Sequence, residues 1–446
     1  MYLVVVTAMM AATLSTVGAS AATQSVSPPS IANTPTQVAQ TTLGNVQYRS
    51  LGSGPALVLI MGYAGTMQTW DPHFVDALAR HFRVITFNNA GIGETTALAP
   101  LSIDAMADQT SALMTTLHVQ TATVLGWSMG SMIAQALAIH HPQQVSRLIL
   151  CATYPGNGKA VQPSQKDVNA LTDGNAVGAQ ADLFPADQAM AAAAFDGGLS
   201  AYKASATTPA SVIASQKSAI LDWFDGRDAT GHRDNQISIP TLVADGSQDR
   251  IDASSNDHDV ASQIHGSRLV LYPDAGHAFL FQEGVSFTFF VRNFVFGVPV
   301  ALTTSQLRDQ YLADYKTVTA AGTTWVAGLK ALSRSSTAQE LARLDVHYAD
   351  AQGAFDDELL GYGAKGALGT TIHSLVKANE LVVRYVEAFG AQSNKQAKKW
   401  ATSIKKDGEL VLSDENALRH QLGLAPIIPP TTTTTSSTTT TIDTNY

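Results

Sequence analysis

Short apolar runs punctuate the chain between residues 57 and 272, and a different rhythm takes over after residue 304. Leu57–Ile60, Val84–Phe87, Thr123–Leu125, Leu148–Leu150, Thr241–Val243 and Leu269–Tyr272 have the length of strands. None of them alternates with polar residues, so both faces of each strand need cover. That pattern predicts a mostly parallel sheet layered between helices. Most of the intervals hold a crossover helix. The stretch from Cys151 to Ile239 is too long for one crossover. It is rich in Ala, Gly and Asp, with helical patches at Asp187–Phe195 and Ser211–Phe224. We read it as an inserted helical cap spanning about 152–238.

Beyond 304 the apolar residues fall three, four and seven apart. Leu307, Tyr311, Tyr315, Val318, Trp325, Leu329 and Leu332 form one stripe; Leu341, Leu344, Tyr348, Phe355 and Leu359 form a second. Ile372, Leu375, Val382, Val386 and Phe389 form a third. Each predicts an amphipathic helix, and together they predict a separate all-α bundle of three to five helices over 300–425. Ser336 with Gln339 has the spacing of a capping box, and Gly408 after Lys405-Lys406 that of a helix stop. The stripes account for the aromatic residues as core. His347 and His373 have no partners at metal-ligand spacing.

The ends have other textures. Residues 1–18 are apolar, and Ala19-Ser20-Ala21 follows with the small-x-small pattern of a cleavage site, which predicts a signal peptide over 1–21 and a secreted or cell-envelope location. No Lys or Arg precedes the apolar run. Residues 22–41 are rich in Ser, Thr, Pro and Gln and predict a disordered leader. Residues 426–446 contain a nearly pure Thr/Ser tract, which cannot bury apolar surface and predicts a disordered tail, a glycosylated stalk or wall spacer being as consistent as a plain tail. The α/β region between leader and bundle covers 42–299.

Composition narrows the chemistry. The 446 residues are 45% hydrophobic and 14% charged, enough for a sizeable core, and the net charge is −9 with no basic run suited to a phosphate backbone. Nucleic acid is therefore not an expected partner. The single cysteine, Cys151, excludes an intramolecular disulfide and a cysteine-based zinc site; at the end of an apolar run it reads as a core thiol.

The sharpest motif is Gly126-Trp127-Ser128-Met129-Gly130, between the run Thr123–Leu125 and the helix-forming Ser131–Ala138. A serine on a tight strand-to-helix turn needs small neighbours, and it stands at a helix N-terminus where developing negative charge is favoured. A serine nucleophile also needs a base and an orienting acid. Asp249 follows the run Thr241–Val243 in the loop where the acid belongs, and Asp245, Asp252 and Glu94 compete for that role. His277, in Asp274-Ala275-Gly276-His277, follows the last run, with Gly276 free to turn the backbone. The oxyanion needs two backbone N–H donors. Met129 supplies one candidate. Tyr63, in Met61-Gly62-Tyr63-Ala64-Gly65, supplies the other, unless that loop is only a turn. Trp127, Met61, Trp223 and Phe224 are candidates for an apolar acyl pocket, or else are core.

On these residues the region 42–299 resembles the α/β-hydrolase superfamily. The Gly-Trp-Ser-Met-Gly elbow is similar to that of small bacterial carboxylesterases of the pimeloyl-ester type, cofactor-free perhydrolases, C–C bond hydrolases and proline iminopeptidase relatives. Asn88-Asn89-Ala90-Gly91-Ile92-Gly93 matches the family's Asp-x-Arg-Gly-x-Gly loop with Ala90 in place of Arg, and Met61 stands where His is common. The resemblance implies a serine hydrolase without metal or organic cofactor, acting on a small or medium apolar ester or related acyl bond. A peptidase, thioesterase or C–C hydrolase of the same fold is an alternative. So is an envelope-associated binding or scaffold protein that works through its helical region.

Overall fold

In the computed structural model the described residues are 29–170, 182–203, 206–297, 302–332, 338–391 and 394–427. The signal peptide expected over 1–21 and nearly all of the Thr-rich tail lie outside them, as does Ser336 of the expected capping box. The chain divides into two compact units: Pro29–Ala192 with Tyr202–Phe296, and Ala193–Ala201 with the residues after 296.

The first unit is built on eight strands: β1 (Gln37–Thr41), β2 (Gly44–Leu51), β3 (Ala56–Ile60), β4 (Arg83–Phe87), β5 (Ala122–Trp127), β6 (Val145–Cys151), β7 (Thr241–Gly246) and β8 (Arg268–Tyr272). They lie side by side in the order β1-β2-β4-β3-β5-β6-β7-β8. All pairs from β4 to β8 are parallel, while β1 and β2 are antiparallel to their neighbours. The six apolar runs of the sequence are the six parallel strands. Every residue of β5 and β7 is buried, as a strand covered on both faces requires.

Helices α1 (Pro72–Ala79), α2 (Ile103–Thr116) and α3 (Met129–His140) connect the first parallel strands. Between β6 and β7 comes the long insertion read from the sequence as a cap, with α4 (Gln165–Ala170), α5 (Ala189–Leu199) and α6 (Ala210–Phe224). Then follow α7 (Ser254–Gln263), α8 (Phe279–Gln282) and α9 (Gly284–Phe296). The fold class read from the sequence, a mostly parallel sheet flanked by helices with further helices after it, is the one found.

One boundary differs. Residues 29–41, read as the end of a disordered leader, are ordered. Ile31 is fully buried; its amide donates to Asp76 Oδ1 at 2.7 Å and its carbonyl accepts from Arg49 Nη1 at 2.8 Å. β1 then pairs with β2 through a two-residue turn closed at Gly44, whose φ is +97°. The hairpin sits at the sheet edge and is largely polar, so it lacks the continuous apolar run that marks the inner strands.

In the second unit the long helices are α10 (Thr304–Ala331), α11 (Ala338–Gly361), α12 (Gly366–Ala391) and α13 (Asn394–Gln421). Leu307, Tyr311, Val318, Trp325, Leu359, Ile372, Leu375 and Val386 are buried, so the stripes are core. Thr303 and Gln306 form the capping box that starts α10. Gly408 does not stop a helix: it is buried inside α13, where a glycine costs only about 1 kcal/mol relative to alanine. The helix ends instead at Gln421, and Gly423 just beyond it takes φ +69°, with the Leu424 amide donating back to the Arg419 carbonyl. Ala193–Ala201 also belongs to this unit. A side chain at Gly197 would collide with the Glu387 carbonyl, so close backbone contact fixes the glycine.

Candidate active site

Ser128 lies between the end of β5 and the start of α3 with φ 57° and ψ −124°. A non-glycine residue held there carries strain of about 1–3 kcal/mol. The turn is held by the Ser128 amide, which donates to the Cys151 carbonyl on β6 at 2.9 Å. Its neighbours have to be glycine. A Cβ on Gly126 would strike the Gly130 carbonyl, and one on Gly130 would strike the Ile60 carbonyl of β3. Met129 opens α3, so its N–H belongs to the first turn, whose amides have no acceptor within the helix.

His277 stands beside this elbow. Its carbonyl accepts from Trp127 Nε1 at 2.9 Å, and the two rings are 5.5 Å apart. Its Nδ1 lies 2.6 Å from Asp249 Oδ2, with both side chains buried. The second Asp249 oxygen accepts the amides of Ile251 and Asp252 at 2.7 and 2.8 Å. The carboxylate is thus fixed by its own loop and aimed at the imidazole. With Nδ1 engaged, Nε2 is the nitrogen left for a serine hydroxyl.

The competing acids have other surroundings. Asp245, Asp252 and Asp257 are fully buried and offer oxygens within 4.8 Å of one another. One oxygen of each is held: Asp245 by the Gly246 amide, Asp252 by Asn256 Nδ2 and Asp257 by the Thr153 amide. Burial, reinforced by the neighbouring carboxylates, pushes Asp245 and Asp252 well above the usual carboxylate range. Burial pushes Asp257 up to about 8. Glu94 is exposed and meets Gln47. Of the four acids read from the sequence, Asp249 is the one whose carboxylate meets His277.

The loop after β3 reaches the serine. A Cβ built on Gly62 would lie 3.1 Å from Ser128 Cβ and 3.7 Å from its Oγ. Tyr63, the next residue, is half-buried, and burial raises its phenol. Two residues that the sequence marked only as part of a family loop brace this segment. Asn89 Nδ2 donates to the Met61 carbonyl at 2.9 Å, and Asn88 Oδ1 accepts the Met67 amide at 2.7 Å. Their signal was the loop itself, Asn88–Gly93. The residues that they hold lie more than 20 positions away, and no local pattern reports that.

The four acyl-pocket candidates are all buried. Trp127 packs against Trp70 and Phe281, with ring centroids 6.2 and 5.1 Å away. Trp223 is fully buried, with Nε1 donating to the Tyr154 carbonyl, and Phe224 lies 4.7 Å from the Tyr154 ring. Trp223 and Phe224 sit in the main core, the alternative left open for them, because α6 turns its C-terminal end inward. Met61 is buried beneath the loop that it begins.

Comparison with known proteins bears on this geometry. The α/β-hydrolase fold family matches residues 55–284. BpoC of Mycobacterium tuberculosis, named as a candidate non-heme bromoperoxidase, is 43% identical over 110 residues, which are 24% of this chain and 42% of that protein. A pimeloyl-[acyl-carrier protein] methyl ester esterase of Pseudoalteromonas atlantica is 32% identical over 123 residues, 28% of this chain and 46% of the esterase. Both matches thus span less than half of the relative's own length. Among solved structures, an α/β-hydrolase fold protein from Chitinophaga pinensis is 26% identical with a TM-score of 0.49, covering 59% of this chain and 98% of its own. The family match takes in more than half of the chain and contains the elbow, Asp249 and His277, and the chain therefore belongs to the α/β-hydrolase fold family.

Proposed function

We propose that this protein is a serine hydrolase that cleaves a carboxylic ester through an acyl-enzyme on Ser128. The observation that carries the reading is the buried 2.6 Å contact between Asp249 and His277, set beside a strained serine elbow. His277 Nε2 takes the Ser128 hydroxyl proton as Oγ bonds to the carbonyl carbon. The developing oxyanion is met by the Met129 and Tyr63 amides. The proton passes to the departing alcohol as the ester C–O bond breaks. Water then attacks the acyl-enzyme, giving its proton to His277, and the acid leaves as Ser128 regains a proton. Asp249 holds the imidazole in the tautomer that this requires. No metal or organic cofactor has a role in these steps.

The buried, apolar surroundings of the elbow favour a small or medium apolar ester, and the relative from Pseudoalteromonas atlantica is named as a methyl ester esterase. Export to the cell exterior or envelope is part of the proposal and rests on the apolar segment 1–18 with its small-x-small sequel.

Activity-based labelling tests the reading. A fluorophosphonate probe should attach to Ser128 of the intact chain, and Ser128→Ala should lower turnover of a short p-nitrophenyl ester by at least about 10⁴-fold with the fold kept. Absence of labelling and of ester cleavage in a folded wild type would instead favour the binding or scaffold role.

A further inference from the structure

We propose that Gln216 and Thr208 of the cap are positioning residues that set the oxyanion loop, a role that rests on the hydrolase reading of Ser128. The loop turns between Gly62 and Gly65, where the Gly65 amide donates to the Gly62 carbonyl at 3.4 Å. Ala64, the third residue of this turn, has φ 57°, the left-handed conformation that favours glycine. An alanine stays there only if its surroundings hold it.

What holds it is the cap. The Ala64 amide donates to Gln216 Oε1 at 2.9 Å, and the Ala64 carbonyl accepts from Thr208 Oγ1 at 2.9 Å. Both backbone polar groups of the strained residue are therefore bound by a segment that lies far away in sequence. Gln216 sits on α6 and is fully buried. Its amide orientation is fixed, because only the oxygen can accept from the Ala64 N–H. Its Nε2 has no hydrogen-bond partner among the described residues.

The loop is thus anchored from two sides. Asn89 holds the Met61 carbonyl from the sheet, and the cap holds Ala64. Tyr63, the proposed oxyanion donor, lies between these anchors. Releasing the cap anchor lets Ala64 relax toward negative φ and moves the turn that carries the donor. An oxyanion donor acts only when it is aimed at the oxygen before charge develops, so a small displacement lowers turnover without weakening ground-state binding.

The test compares Gln216→Leu, which removes the acceptor, with Gln216→Glu, which keeps it, in the full chain. On a short p-nitrophenyl ester, Gln216→Leu should lower kcat about tenfold with KM little changed. Affinity for a trifluoromethyl ketone, which forms a reversible tetrahedral adduct on the serine, should fall in parallel. Gln216→Glu should recover most of both. Unchanged kcat in folded Gln216→Leu overturns the proposal, as does a rise in KM alone or a loss that Gln216→Glu does not restore. If Gln216→Leu does not fold, Thr208→Val carries the same readouts, with Thr208→Ser as its rescue. A wild type that cleaves no ester and takes no phosphonate at Ser128 is a separate result, which removes the hydrolase reading and this role with it.

Discussion

Asp249 and Asp245 lie on the same strand and loop, and their neighbours give them different work. Asp249 meets His277 Nδ1 and two amides of its own loop. Asp245 is sealed among other carboxyls, and its burial there pushes it well above the usual carboxylate range. Replacing Asp249 by Asn keeps the shape but leaves His277 in the wrong tautomer, so ester turnover should drop by about 10⁴-fold. Steady-state kinetics check this, with Asp245→Asn as the control that should stay within roughly tenfold of wild type. A larger loss in Asp245→Asn than in Asp249→Asn would reverse the assignment. Ser128, His277 and the loop that carries Asp249 stand out in the sequence because each comes after a recognisable strand run, while the choice among the acids of that loop stays open there. Asn88, Asn89, Thr208 and Gln216 do not stand out, because they act through contacts that only folding creates.

Elements show the same division. The six inner strands announce themselves because a strand buried on both faces has to be continuously apolar. The β1–β2 hairpin does not, since an edge hairpin with one wet side keeps polar residues such as Gln37, Gln40 and Gln47. Gly408 misled for a related reason: a buried glycine inside α13 and a terminal glycine look alike in sequence, and packing decides which it is. At the elbow, packing leaves no such freedom. Gly130→Ala places a Cβ against the Ile60 carbonyl, so β3 and α3 cannot keep their present approach. The substitution should destabilise the first unit by about 1–3 kcal/mol and reduce ester cleavage, as thermal melts and initial rates will show. A variant with wild-type melting temperature and rate would mean that the close approach is not required.

Across the molecule, buried carboxyls couple folding to pH in both units. Burial pushes Asp257 in the first unit up to about 8 and Glu415 in the second up to about 7. Both values lie above those of unfolded carboxyls, so the folded state holds a proton that the unfolded state releases. Their contribution to stability is complete below about pH 4 and declines as pH rises towards 7 for Glu415 and towards 8 for Asp257. Each group lowers stability by roughly 1.4 kcal/mol per pH unit within its window. Calorimetry should show melting temperatures falling between pH 5 and 8. Asp257→Asn should flatten the fall of the first unit and raise its melting temperature at pH 8 by about 3 °C or more. Equal pH slopes for wild type and variant would show that Asp257 is already ionised in the folded protein.

The sequence by itself determined the parallel sheet, the helical region beyond it and the order of serine, acid and histidine. Apolar runs, periodic stripes and glycine-flanked turns are local consequences of burial and sterics, and they can be read one segment at a time. Only the tertiary structure decided which acid faces His277, that residues 29–41 are ordered, that Trp223 and Phe224 lie in the core, and that Thr208 and Gln216 hold Ala64. Those outcomes depend on hydrogen bonds and contacts between residues that the chain holds far apart, and no local pattern encodes such pairings.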